Sequence, residues 1–432
     1  MDYIIESIKS VRNVSEDWLK DLFTIGNIGR VSGKFITRFE DLRADDGVTR
    51  VTGSDADKEA RDYVVNRMRE LGLKVYVDQV GNIFGRLEGS TDRTVMMGSH
   101  IDTVINGGMF DGVVGVIGAL ETIRRLKKEG FRNKRSIEVV VFTGEEGSAF
   151  PYGTLGSAVL TGKLSVEEAW ALRNNEGVTL KDALKRIGYL GSINRGLDDV
   201  DYFVELHVEQ GPILEANGIK IGIVDAIVGL TWIYLRLLGE QRHAGTTPMN
   251  LRKDPLVAAS DIIRFVYQHA INLSAKYNRN IVGTVGKLTV YPNTINAIPG
   301  IVEMGIDIRD IDEDVLNKFK DEIINEVNSI KDIYGIHAEI KSIVSVQKPV
   351  KLSQEVVSTI ENICNNMNIK YMHINSGAGH DTQNMASKVK AGMIFIPSHN
   401  GISHSPLEWT DPKDIEIGIE VLTETIKQLA NK

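Results

Sequence analysis

The apolar residues of this chain recur with two different periods, and the change of period divides it. Residues 54–71 (SDADKEARDYVVNRMREL) carry Ala60, Tyr63, Val64, Met68 and Leu71 at helical spacing. Ser54 or Asp55 caps the start and Gly72 marks the stop. Lys74–Val80 alternates as a strand, and Thr94–Met97 is a short buried strand running into GSHIDT. Residues 112–129 (GVVGVIGALETIRRLKKE) predict a helix with basic residues in its last turns and Gly130 beyond. Ser136–Thr143 (SIEVVVFT) is another buried strand, and 202–208 (YFVELHV) a further one. Strand, helix and strand at this spacing imply βαβ units and a largely parallel sheet.

Farther on, the strands lengthen and alternate. Residues 231–239, 281–291 and 301–309 read as strands, with helices at about 254–272 and 314–331 between them and a last strand at 337–345. That order is β-α-β-β-α-β, the split-βαβ layout. After Pro349 the chain returns to helix (353–366), strand (391–396) and helix (413–430). The pattern predicts a discontinuous α/β domain, residues 1–214 and 347–432, with a small α+β domain inserted at 215–346. Its two crossings, Gly211–Glu215 and Val346–Pro349, are where a hinge is expected.

Composition narrows the function classes. The 432 residues predict two or three domains. Fifty basic against 58 acidic residues leave a net charge of −8 with no basic block. That argues against nucleic acid or an anionic membrane surface as partner. A single cysteine, Cys364, excludes an intramolecular disulfide and suits a reducing compartment. The opening MDYIIESIKSVRN lacks the pattern of a secretion signal. The longest uncharged apolar run, Ala226–Leu235, is too short for a membrane span of about 20 residues. The expectation is a soluble, cytoplasmic protein.

Five short motifs carry chemistry. Gly98-Ser99-His100-Ile101-Asp102 ends a buried strand, where open α/β sheets place their sites. His100 offers an imidazole to a metal, and Asp102 could accept the other ring N–H. Asp111 lies between glycines (NGGMFDGV) and ahead of a helix, which also suits an N-cap. Glu145 and Glu146 pair in TGEEG, an arrangement that is costly unless it holds something cationic. His207 (ELHVEQG) and His404 (SHNGISHSP) follow two further strands. Taken singly, each suits a structural role. Together, two carboxylates and three histidines fall near strand ends of one sheet, without thiolate. They exceed one catalytic zinc site and fit two divalent ions, Zn, Mn, Co or Ni, sharing a carboxylate.

The ordered series GSHIDT, GGMFDGVVGV, FTGEEGSAF, ELHVEQGPILE, HAGTTPM, NTINAIPG, DIRD, SGAGHD and ISHSPLEW, over about residues 50–425, resembles the M20 metallopeptidase-like amidohydrolases. The resemblance is to the branch that cleaves ureido and carbamoyl groups. These are the N-carbamoyl-L-amino-acid hydrolases, allantoate amidohydrolases and β-ureidopropionases. It implies a mixed, mostly parallel doubly wound catalytic sheet with an inserted lid and dimerisation domain. It also implies two metal ions per subunit, one on His100, Asp111 and His207, the other on Asp111, Glu146 and His404. Glu145 would be the general base and Asp102 would orient His100. Gln210, His243, Asn296, Arg309, Gly377 and His380 match substrate-binding positions, with His243 acting across a homodimer interface. The substrate would be a small ureido or carbamoyl carboxylate. The alternatives are an exopeptidase or aminoacylase on the same fold, or a catalytically dead relative. The peptidase branch usually has an acid at the position of His207.

Blander roles remain for several residues. Arg309 could simply pair with Asp307 or Asp310, and His243 could cap its own loop beside Thr246 and Pro248. His269, His337, His373 and His399 are expected to be structural or superficial. Cys364 is expected to be a small buried hydrophobe.

Overall fold

A computed structural model of the chain describes residues 16–432. The stretch MDYIIESIKSVRN lies outside them. The first predicted helix runs Asp55–Glu70, and the Ser54 side chain accepts the Asp57 N–H as its cap. Its apolar stripe of Ala60, Val64, Val65 and Met68 is buried. The next, Val113–Lys128, is apolar on all sides of its first two turns and is buried there accordingly. It packs against the C-terminal helix Pro412–Asn431 and on the strands Thr94–His100 and Val200–Val208.

Those strands belong to a large mixed sheet. Four run parallel at its centre, in the order Ser136–Phe142, Thr94–His100, Val200–Val208 and Lys390–Ile396. Every residue of Thr94–His100 and Ser136–Phe142 is buried, as strands covered on both faces require. Antiparallel strands flank the centre, Lys74–Val77 and Ile83–Leu87 on one side and Ile221–Ile227 on the other. The hydrophobic pattern did not announce Ile83–Leu87 or Ile221–Ile227. The first is five residues long and contains Gly85 and Arg86. The second runs almost directly into the apolar strand Gly229–Leu238.

The chain divides into two compact units. The first holds the described residues up to Asp225, then Leu352–Ile374 and His380–Lys432; the second holds Ala226–Lys351 and Asn375–Gly379. In the second, four antiparallel strands lie in the order His337–Gln347, Gly229–Leu238, Ile301–Asp310, Val282–Tyr291. Helices Pro255–Tyr277 and Glu313–Tyr334 connect them in the β-α-β-β-α-β sequence. Asp254 and Asp312 cap these helices through their side chains. Ile233, Leu235, Ile262, Val266, Phe319 and Ile323 form the core between helices and sheet. No helix among the described residues is long and apolar enough to cross a membrane.

Cys364 is buried in the helix Gln354–Asn366, and burial pushes its thiol up to about 12, so it stays an unreactive apolar filler. In the same helix Glu355 ties three elements together. It accepts from Lys390 Nζ at 2.6 Å, Tyr202 Oη at 2.8 Å and Lys432 Nζ at 3.0 Å. These bonds, that of Lys390 first, lower its carboxyl from 4.5 to about 2. A depressed carboxylate stabilises the fold above its unfolded value and loses that contribution as pH falls. Glu355→Gln is therefore expected to lower the melting temperature at pH 7. The gap from wild type should narrow as pH drops from 4.5 toward 2, read by circular dichroism melts. A gap independent of pH would show that Glu355 acts through packing alone.

Candidate metal centre

The parallel strands deliver their chemistry at their C-terminal ends. His100 is the last residue of its strand, His207 the last but one, and Glu145 and Glu146 follow closely after Phe142. His404 lies in the loop after Lys390–Ile396, and Asp111 in the loop that enters the helix Val113–Lys128. This is where open α/β sheets bind ligands.

Asp111 is the meeting point. Its Oδ1 lies 3.1 Å from His207 Nε2 and 3.7 Å from His100 Nε2. Its Oδ2 lies 3.1 Å from His404 Nε2, which is also 3.4 Å from Glu146 Oε2. Donor atoms of His100, Asp111 and His207 lie within 4.8 Å of one another, and so do those of Asp111, Glu146 and His404. Glu145 joins a further group with His100 and Glu146, its Oε2 being 3.7 Å from His100 Nε2. His100, Asp111 and His207 are buried, whereas the His404 side chain is 49% exposed.

The ring nitrogens show what the cluster is built to hold. His100 Nδ1 lies 3.0 Å from the Asp102 main-chain oxygen and His207 Nδ1 lies 2.9 Å from that of Val208. A carbonyl only accepts, so both Nδ1 atoms carry hydrogen and both Nε2 atoms turn inward at carboxylates. A proton or a divalent cation can bridge such a pair, and binding the second releases the first. Burial works to raise Asp111, but the hydrogen bonds of His207 and His404 and the charge of His207 and His100 hold it well below the usual carboxylate range. Burial alone would lower His207, yet Asp111 outweighs it and pushes the imidazole up to about 9. Glu145 is pushed well above 4.5 by burial and then by Glu146; Glu146 is pushed up by burial and then by Asp111. Imidazoles and carboxylates crowded together without thiolate suit a divalent metal.

Asp102 acts differently from the expectation for its carboxylate. Its main-chain oxygen takes the His100 N–H, while the carboxylate stands 3.7 Å from Nδ1. The carboxylate instead accepts the N–H groups of Glu145 and Glu146, each at 3.2 Å. Gln210, at φ 61°, donates from Nε2 to Asp111 Oδ2 at 2.8 Å. The His380 ring is buried 4.6 Å from that of His207, and burial, then His207, lowers it well below the ordinary imidazole value.

The other candidate residues lie in the second unit. His243 and Asn296 are neighbours through a two-stranded ladder that pairs His243 with Ala297. Both are exposed. His243 Nδ1 accepts the N–H groups of Gly245 and Thr246, at 3.0 and 3.2 Å, so Nε2 carries the hydrogen and remains a donor. Arg309 pairs with Asp307 and donates from Nη1 to the Gly377 oxygen at 2.9 Å, whereas Asp310 is taken by Arg279. His269, His337, His373 and His399 each face a single carboxylate or pair of carboxylates away from the metal donors.

Residues 96–428 match the model of peptidase family M20/M25/M40. The chain belongs to that family. It is 41% identical over 391 residues to an N-carbamoyl-L-amino-acid amidohydrolase of Pseudomonas sp. (strain NS671), covering 88% of this chain and 93% of the relative. It is 38% identical over 391 residues to an allantoate amidohydrolase of Bacillus subtilis (strain 168), covering 90% and 94%. The crystal structure of an amidase of the hydantoinase/carbamoylase family from Burkholderia multivorans superposes with a TM-score of 0.88 at 33% identity, covering 98% of this chain and 99% of that one. This M20 member is thus an amidohydrolase.

One residue of this M20 site escaped sequence reasoning. Glu408 is fully buried, and its Oε1 accepts the N–H groups of Phe110 and Asp111 at 2.8 and 3.0 Å. Its Oε2 accepts from Ser403 Oγ at 2.8 Å. It therefore buckles the Asp111 loop to the His404 loop. The only sequence signal is an acid in the apolar run SPLEW. Glycines make room: a Cβ on Gly108 would stand 2.2 Å from Glu408 Oε1, and one on Gly112, at φ 67°, would stand 2.5 Å from the His100 ring. Glu408→Ala leaves two buried N–H groups without acceptors, at roughly 1–3 kcal/mol each. It is expected to weaken metal binding by about 10–100-fold in chelator competition. Glu408→Gln, which can still accept both N–H groups, should retain most of the affinity. Equal losses in the two variants would refute the buckle.

Proposed function

We propose that this M20 amidohydrolase hydrolyses the carbamoyl or ureido C–N bond of a small carboxylate with two divalent metal ions. The observation that carries the reading is the pair of donor groups sharing Asp111, with Glu145 beside them. The relatives' activities, on N-carbamoyl-L-amino acids and allantoate, supply the substrate class. His207, where the peptidase branch usually has an acid, favours the same side.

His100, Asp111 and His207 would hold one ion, and Asp111, Glu146 and His404 the other. Bound there, such ions polarise a carbonyl and lower the pKa of water, the native metal being Zn, Mn, Co or Ni. Glu145 takes a proton from the attacking water and delivers it to the leaving nitrogen. Asp102 positions that base through the N–H groups of Glu145 and Glu146. Gln210 steadies Asp111, and His380 lines the site beside His207. His243 Nε2–H and the Asn296 amide are donors for the developing oxyanion. Arg309, beside Gly377, takes the substrate carboxylate. Water adds to the carbamoyl carbon, the C–N bond breaks, and an N-carbamoyl amino acid yields the amino acid, ammonia and carbon dioxide.

The inserted unit would also make a homodimer. Val282–Tyr291 is one of the two edges of its sheet and exposes Val282, Leu288 and Tyr291, while the helix Pro255–Tyr277 exposes Tyr267 and Ile271. An apolar edge strand is a template for pairing. Leu288→Lys is expected to shift sedimentation from dimer to monomer, and a monomeric wild type would sink this reading.

The function is tested by ammonia release from chelator-stripped protein refilled with Mn, Co, Ni or Zn. The substrates are allantoate, N-carbamoyl-L-amino acids, N-carbamoyl-β-alanine and an N-acetyl amino acid scored by free amine. Metal-dependent ammonia from a ureido compound is expected. Amine from the acetyl compound alone would place the chain among the acylases. Glu145→Gln should keep its metal and lose turnover by about 10²–10⁴-fold; full activity in that variant would remove Glu145 as the base.

A further inference from the structure

We infer that Asp307 is a positioning residue for Arg309, turning the guanidinium so that one face alone is open to a substrate carboxylate. The inference rests on the reading of Arg309 as the carboxylate anchor. Asp307 and Arg309 stand two residues apart on the strand Ile301–Asp310 and so share a face. Asp307 Oδ1 accepts from Arg309 Nε at 2.9 Å and Oδ2 from Nη2 at 3.0 Å, a side-on bidentate pair. Trp232 is the cross-strand partner of Asp307 and donates from its indole nitrogen to Oδ2 at 3.0 Å. Gly377 takes one hydrogen of Nη1.

Arg309 has five N–H donors, and these contacts use three. One hydrogen remains on each terminal nitrogen, and two such donors can meet the two oxygens of a single carboxylate. The pair is partly exposed, with side chains 32% and 25% accessible, and ion pairs so open contribute little to stability. What Asp307 and Trp232 contribute is direction. The neighbouring acid Asp310 cannot substitute, because it is fully buried and bound to Arg279. The open fork favours a planar monocarboxylate and gives no advantage to a carboxamide.

The test uses the full-length, metal-loaded enzyme and the ureido acid that it hydrolyses best, beside the same compound with its carboxylate converted to a carboxamide. Asp307→Asn keeps the shape of the side chain but replaces one acceptor oxygen by a donor. It is expected to raise KM for the acid by roughly tenfold, since small misplacements of a binding group cost this much or more. The expected kcat stays within about twofold and the carboxamide is unaffected. Trp232→Phe should shift KM in the same direction by less. Unchanged or lowered KM for the acid in Asp307→Asn, or an equal rise for the carboxamide, would overturn the proposal. Arg309→Met separates the two ideas. If it leaves KM for the acid unchanged, the anchor reading itself fails. If it raises KM while Asp307→Asn does not, only the positioning role fails.

Discussion

A buried carboxylate facing imidazole lone pairs is an unstable arrangement unless positive charge lies between them, and this first unit is organised around that condition. Asp111 supplies the negative charge, and His100, His207 and His404 approach it from three separate stretches of chain. The rest of the site keeps them from turning away. Main-chain carbonyls fix two rings by their outer nitrogens, Gln210 holds one oxygen of Asp111, and Glu408 grips its backbone. A soft, adaptable pocket could relax by rotating a histidine outward. His100 and His207 cannot do so without losing a buried hydrogen bond, so their geometry is retained for a cation.

Much of this was legible from residues because the strands bearing it are short, fully buried and strongly patterned. The runs ending at His100 and Phe142 have no polar face to blur their limits, so the chemistry at their ends stood out. Two strands of the second unit were legible for the opposite reason: Gly229–Leu238 and Ile301–Asp310 alternate with period two against one covered face. Two of the strands that flank the parallel centre were not, since Ile83–Leu87 is short and Ile221–Ile227 merges with apolar neighbours. Local spacing also misled at Asp102, where an HxD pattern suggested a carboxylate–imidazole bond and the main chain supplies it instead. The role of Glu408 could not be read, because the N–H groups it accepts are 298 and 297 positions away in the chain. For Arg309 the sequence left two acids open, and burial decides between them: Asp310 belongs to Arg279, Asp307 to Arg309.

The two units present charge by different means. In the first, burial raises the cost of every unpaired charge, and close spacing makes a multivalent cation the natural partner. In the second, Asp307, Arg309 and Trp232 lie on a partly open sheet face where solvent screens their attraction. There, direction rather than strength is what the side chains can offer an anion.

The buckle made by Glu408 also has a consequence for how the protein comes to exist. The N–H groups it accepts precede it by 298 and 297 positions in the chain. Chains emerge from the ribosome N-terminus first. His100, Asp111, Glu146 and His207 are therefore synthesised before His404 and its buckle. The order of synthesis thus separates the gathering of His100, Asp111 and His207 from the arrival of His404 and Glu408.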